Sequence, residues 1–474
     1  MIFGEFAPDK AKSGNPNILT ECEGVYPLED GYRPVGQFTK LFDAIAATPK
    51  GGATFTSPAG LSTIIAGTAT NLYKAFSGAW TSIGSGYSLL EEGRWRFAQF
   101  GGLAIATNGT DPMVKIDLTT DTVASLGGTP PKFETLAVVK DFLVGGVRNS
   151  QIMHLGWSGI NDAEWWTVGQ RQADLNILPD GGRINGILSG EYGVILQRNC
   201  IRRMDYVGGN IIFEFNVVST NTGCVTPHSV AQWGRIAFFL SDNGFMMWDG
   251  SQAVPIGQEK IDRSFASQYD VTDWPSMSTA IDPVNRVVMW SMADKIWCYH
   301  WDFGKWTVIP IVSSIIFSGV TKAVSIDEDY PPDMPDDTDI DGVGLPSLDD
   351  AIFRGGDPLL YVFNSARELG NFDGTPMAAK FTGIDLELFQ GQRACLRMAR
   401  PDCDGTSNFT LTLLGKQRLG DAGSSTAFTS LTTSGDMPLR FSARFIRPTF
   451  QIAAGTTWSY AKGINYVGEP GSGR

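Results

Sequence analysis

Read for the alternation of apolar and polar positions, the chain is a succession of short apolar runs of strand length. They are separated by glycine or polar turns and followed by an aromatic stretch. From Leu61 onward this unit recurs six times: LSTIIAGTATNLYKAFSGAWTSI, RFAQFGGLAIATNGTDPMVKIDL, FETLAVVKDFLVGGVRNSQIMHLGW, INGILSGEYGVILQRNCIRRMDYV, SVAQWGRIAFFLSDNGFMMWDG and STAIDPVNRVVMWSMADKIWCYHWDFGKWTVI. The units start at Leu61, Arg96, Phe133, Ile184, Ser229 and Ser278, between 35 and 51 residues apart. A loose period with three or four strands per unit predicts the blades of a β-propeller, because such a unit cannot bury its own faces and needs a neighbour on each side. A further blade can be assembled from Ser313–Ile326 and Asp357–Gly374, so six to eight blades are expected. The intervening segment, Asp327–Asp350, is rich in Asp and Pro and reads as a long exposed loop.

The two ends of the chain break the pattern. Residues 1–50 are dense in turn signals (NPN at 15–17, GYRP at 31–34) and predict an extended N-terminal arm followed by a first strand. Beyond a boundary near Pro376, strict alternation in TGIDLELF and FTLTLL predicts half-buried strands of a C-terminal β-sandwich over 376–474. The expected organisation is therefore all-β: arm 1–50, propeller 51–375 with the insertion at 327–350, sandwich 376–474.

Composition agrees with many tight turns: 474 residues include 55 Gly, 42% hydrophobic residues and only 18% charged ones. The formal net charge of −13, with no block of consecutive Lys and Arg beyond the pair Arg202–Arg203, disfavours tight or sequence-specific DNA binding. Cys22, Cys200, Cys224, Cys298, Cys395 and Cys403 are widely spaced, form no CxxC pair, and read as small buried hydrophobes in a reducing compartment. The opening MIFGEFAPDKAKSG has no charged segment followed by an apolar run, and no stretch approaches about 18 apolar residues, so neither a secretory leader nor a membrane span is expected.

Candidate chemistry is sparse. DTDIDG places Asp337, Asp339 and Asp341 before Gly342, as in the first half of a calcium loop, but Leu348 stands where a bidentate Glu should be. A solvated acidic loop is the expected reading. His154, His228 and His300 sit in unrelated contexts, no GxSxG elbow or GxGxxG occurs, and each His reads as structural. SDNGFMMW invites comparison with the sialidase Asp-box SxDxGxxW, yet Asn243 replaces the Asp and Phe245 the Gly, leaving Ser241 and Trp248 alone. No catalytic, cofactor or metal residue is assigned, and a non-enzymatic protein is expected.

Two stretches carry a family likeness. The opening PNILTECEGVYPLEDGYRPVGQF (Pro16–Phe38) and the closing FQGQRACLRMARPDCDG, LRFSARFIRPTFQI and TTWSYAKGINYVGEPGSGR resemble the tail hub or nozzle proteins of short-tailed bacteriophages (podoviruses). In the closing part Arg440, Arg444, Trp458, Gly463 and Gly471 stand at positions associated with that domain, and Arg235–Gly250 and Ile296–Ile309 resemble the family's blade strands. The resemblance implies a structural virion protein, assembled in the host cytoplasm as a homo-hexamer below the portal and adaptor rings. It also implies contacts to the head-to-tail adaptor, tail fibres or tailspikes and a tail needle or plug, and non-specific passage of double-stranded DNA during retention and ejection. It carries no cofactor and no catalytic residue. An acidic lumen would repel phosphate and let DNA slide. The alternatives are another virion propeller such as a tail-fibre anchor, a carbohydrate-active propeller enzyme, or a propeller that binds glycans or proteins without cleaving them.

Overall fold

The computed structural model describes all residues except 12, 77, 148–150, 210, 322–355 and 472–474. The acidic segment 327–350, with Asp337, Asp339 and Asp341, lies outside the described residues.

Seven four-stranded antiparallel units make the propeller. Blade 1 is Gly51–Thr56, Ser62–Gly67, Asn71–Phe76 and Ala79–Ser85; blade 2 is Arg96–Phe100, Leu103–Thr107, Val114–Asp117 and Val123–Ser125. Blade 3 is Phe133–Val139, Phe142–Val147, His154–Trp157 and Asp174–Ile177; blade 4 is Ile184–Leu188, Gly193–Gln197, Cys200–Tyr206 and Phe213–Thr220. Blade 5 is Ala231–Trp233, Ile236–Ser241, Gly244–Trp248 and Ala253–Pro255; blade 6 is Ser278–Asp282, Val287–Ser291, Ile296–His300 and Lys305–Ile309. In each, the first strand is innermost, and these first strands approach one another around the axis.

Central strands of the blades read as continuous apolar runs because both of their faces are covered. Gly193–Gln197, Val287–Ser291 and Ile296–His300 are buried at every position. The seam between blades 5 and 6 is aromatic. Trp290 stacks on Trp306 at 5.5 Å, Phe245 lies 4.6 Å from Trp290, and Trp306 Nε1 donates to the Ile256 carbonyl at 2.8 Å.

Blade 7 is composite. Ser313–Val320, Pro358–Asn364 and Glu368–Asn371 are completed by Thr39–Ala44 from near the N-terminus, in antiparallel register with Leu369 opposite Phe42. Its innermost strand then packs on blade 1, where Phe317 fills the space beside Gly52 and Val320 N donates to Thr54 Oγ1 at 3.1 Å. This closure gives the first and last blades their missing neighbours.

The sandwich draws on both chain ends. One sheet orders Ile18–Glu23, Ala379–Gly383, Phe445–Ile452, Phe409–Lys416 and Ser424–Phe428; the other orders Val25–Leu28, Gly31–Pro34, Ala461–Pro470, Ala394–Cys403 and Met437–Ala443. The N-terminal arm is extended, and it does not stand apart: its strands divide between these two sheets and blade 7. A parallel bridge, Glu23 to Val308, continues the first sheet into blade 6. Phe3 stacks on Phe381 at 4.3 Å, and Asp385, 5% exposed, receives Lys416 at 3.1 Å and Arg447 at 2.8 Å. Among the described residues no helix is long and apolar enough to cross a membrane.

Candidate functional site at the propeller axis

The innermost strands enclose an axial cavity of about 300 Å³, touched by residues of all seven blades, among them Gly52, Phe97, Leu136, Ile187, Gln232, Thr279 and Phe317. Its chemistry comes from the sequence GRWRF leading into blade 2. Alternation along an extended chain sends Arg94 and Arg96 to one side and Trp95 to the other. Trp95 is buried as a wedge against blade 1: its Nε1 donates to the Thr68 carbonyl at 2.8 Å, and its indole fills the space beside Gly67, where an added Cβ would sit 2.2 Å from Cδ1.

With Trp95 fixed, the two arginines reach across the axis. Arg96 Nη2 donates to the Pro227 carbonyl at 2.7 Å and contacts His228 Nδ1 at 2.9 Å, in the segment leading into blade 5. Arg94 Nη2 donates to the carbonyls of Pro275 and Ser276 at 3.0 and 3.3 Å, ahead of blade 6, while its Nε is buried without a partner. Lys50 joins them at the rim, donating to the Glu91 carbonyl at 2.6 Å. A second recess of about 230 Å³ adjoins at Asn185, Pro227 and His228, and contains the Arg183–Glu134 ion pair.

Burial, and then Arg96, pulls Arg94 down to about 10; burial also lowers Arg96, partly offset by Glu134. Burial lowers Lys50, with Arg94 adding to the effect. His228 is held well below the ordinary imidazole range, first by burial and then by Arg96, Arg94 and Arg183. A neutral His228 can therefore accept from Arg96 through Nδ1.

The three histidines are not brought together. His154 contacts the Gln151 carbonyl at 3.2 Å, and His300 stacks on Phe303 at 4.2 Å; only His228 reaches the axis. In the stretch compared with the Asp-box, Ser241 and Trp248 are buried in blade 5, Phe245 packs in the aromatic seam, and Asp242 pairs with Arg198. All six cysteines are free, and burial raises the thiols of Cys224 and Cys403 to about 11, which makes them poor nucleophiles. Among the described residues no group of three or more His, Cys, Asp or Glu is placed to hold a metal ion.

Of the residues carrying the family likeness, Trp458 is buried, Arg444 pairs with Glu387 at 3.0 Å, and Arg440 is exposed. Gly463 admits Met1 so closely that a Cβ would sit 2.4 Å from the Met1 carbonyl oxygen, and Gly471 N donates to Arg393 O at 2.7 Å. These are positions of sandwich architecture. The axial arginines match no motif; the signal they leave in the sequence is two arginines spaced by two at the start of an apolar strand.

No family model and no curated protein matches the sequence. Among solved structures, the extracellular domain of a hybrid two-component system from B. thetaiotaomicron is similar with TM-score 0.43 and 9% identity, over 82% of this chain and 47% of that one. A chain of a mitotic checkpoint complex is similar with TM-score 0.40 and 12% identity, over 71% of this chain and 93% of that one. The chain thus spans about half the length of the extracellular domain it matches. The propeller is defined by its seven four-stranded blades and their closure.

Proposed function

We propose that the chain is a structural, non-enzymatic subunit of a short bacteriophage tail, a hub or nozzle component that assembles as a homo-hexameric ring below the portal and adaptor. The observation that supports this most is where the two resembling segments meet. Strands from Pro16–Phe38 and from the last hundred residues, remote in sequence, pair in one two-sheet sandwich that continues into blade 6. A likeness split between two chain ends is thereby a likeness of one body. In this reading the sandwich builds the ring, the propeller forms its outer part, and the acidic balance of −13 keeps a DNA conduit from retaining phosphate. Tail fibres or tailspikes and a needle or plug would dock on the assembled ring. Its place is the virion tail.

Electron microscopy of the purified chain with and without its adaptor tests the proposal. Sixfold rings on the tail axis are expected; a particle of monomer mass that persists with adaptor present would sink it.

The axial arginines favour a second reading, a carbohydrate-active propeller, because such a site needs guanidinium groups in a pocket. Against it, Arg94 and Arg96 are bonded to backbone carbonyls, and Glu134 is paired with Arg183. Release of reducing sugar from host surface polymer would favour this reading over the first.

A further inference from the structure

In a chain with 50 Asp and Glu against 37 Lys and Arg, the axial cavity has the opposite balance. Lys50, Arg94, Arg96 and His228 line it, and among the described residues no carboxylate does. Among the described residues the neighbouring acids are committed or lie outside it. Glu134 is paired with Arg183 in the adjoining recess, Glu92 lines that recess, and Glu91 meets Lys50 through its backbone carbonyl. Buried guanidinium groups are normally matched by carboxylates, because desolvating a cation without a counter-charge is costly. Here the bonds made by both arginines end on neutral acceptors, and Arg94 Nε has none.

We propose that the propeller axis binds a small oxyanion of the phosphate class, held between Arg94, Arg96 and Lys50. The ligand supplies the missing negative charge. Planar guanidinium forks match tetrahedral oxyanions in charge and in the spacing of their N–H groups, and Arg94 and Arg96 both line the cavity. The cavity, at about 300 Å³, is at the small end of ligand pockets and has room for orthophosphate or for a compact phosphomonoester. The cross-axis bonds from blade 2 to the segments ahead of blades 5 and 6 hold the guanidinium groups in place before the anion arrives. Bound anion in turn relieves their mutual repulsion. The site is independent of any role in a virion.

Isothermal titration of the full-length protein with potassium phosphate, glucose 6-phosphate and potassium acetate at matched ionic strength tests this. Saturable binding of phosphate but not acetate is expected. Tighter binding of glucose 6-phosphate would identify a phosphomonoester as the ligand, and equal binding would identify the free anion. Arg94→Gln should weaken phosphate binding roughly tenfold or more, the loss expected for one charge-assisted contact. Lys50→Gln, at the exposed rim, gives the same comparison with little risk to folding. Lys74→Gln removes an equal charge from the Asp121 pair away from the axis and should change nothing. No saturable heat with the wild-type protein, or equal affinity in the Lys50 and Lys74 variants, overturns the proposal.

Discussion

Trp306→Ala is the sharpest probe of how the propeller is held together. The indole is fully buried between blades 5 and 6, within 5.5 Å of the rings of Trp290, Tyr299 and Phe245, and donates to the Ile256 carbonyl. Truncation leaves a cavity in a seam that aromatic rings cannot collapse to fill, which costs about 3–5 kcal/mol for a buried Trp. It also leaves the Ile256 carbonyl without its donor, worth about 1–3 kcal/mol more. A loss of this size is a large part of the stability of an ordinary domain. Urea unfolding followed by tryptophan fluorescence and circular dichroism measures it, with Trp233→Ala as control, since Trp233 is 47% exposed. Trp306→Phe separates the two contributions, keeping much of the ring volume and losing the donor. If Trp306→Ala costs no more than Trp233→Ala, the seam does not carry the blade contact and the argument from burial fails.

Gly67→Ala should lower the melting temperature by the equivalent of about 1–3 kcal/mol, because the added methyl meets Trp95 Cδ1 at 2.2 Å; an unchanged melting curve would remove the wedge role of Trp95. Asp385→Asn should cost about 3–5 kcal/mol by stranding Lys416 and Arg447 around a neutral group, read by chemical denaturation; a cost below that of an exposed pair such as Arg397→Gln would contradict the buried triad. The pH dependence has a definite sign at His228. Its folded pKa lies well below 6.5, so the unfolded chain takes up the proton first; stability is full above about 6.5 and falls as pH drops beneath it. Asp262, raised to about 6 by burial, acts oppositely, its penalty fading as pH falls through that value. Denaturation midpoints between pH 7.5 and 5 should therefore fall less steeply in His228→Gln than in wild type, and parallel curves would refute the assignment.

Much of the propeller was legible because each blade is a local unit, with apolar strands and tight turns inside some 40 residues. The repeats beginning at Arg96, Phe133, Ile184, Ser229 and Ser278 coincide with the starts of blades 2 to 6 to within a few residues. The repeat at Leu61 starts one strand late, since GGATFT, the true first strand of blade 1, is mostly small residues and offers little apolar signal. Blade 7 is harder to read because its strands are separated by the long insertion and by most of the chain. Its closing strand TKLFDA is exposed at every position but Phe42. The axial site was invisible for a similar reason. Arg94, Arg96, Lys50 and His228 come from three separate places, and only ring closure makes them neighbours.

The part played by residues 18–44 in both bodies also sets an order of events in time. Thr39–Ala44 waits for Glu368–Asn371, and Ile18–Glu23 waits for Ala379–Gly383, so the segment synthesised early is among the last to find its partners. Pairings over such sequence distances are slow, and blades 1 to 6 leave the ribosome with the ring still open and the face of blade 1 that packs on blade 7 uncovered. During synthesis that face stays bare until blade 7 has emerged and Thr39–Ala44 has paired with Glu368–Asn371, which is the step that ends the exposure.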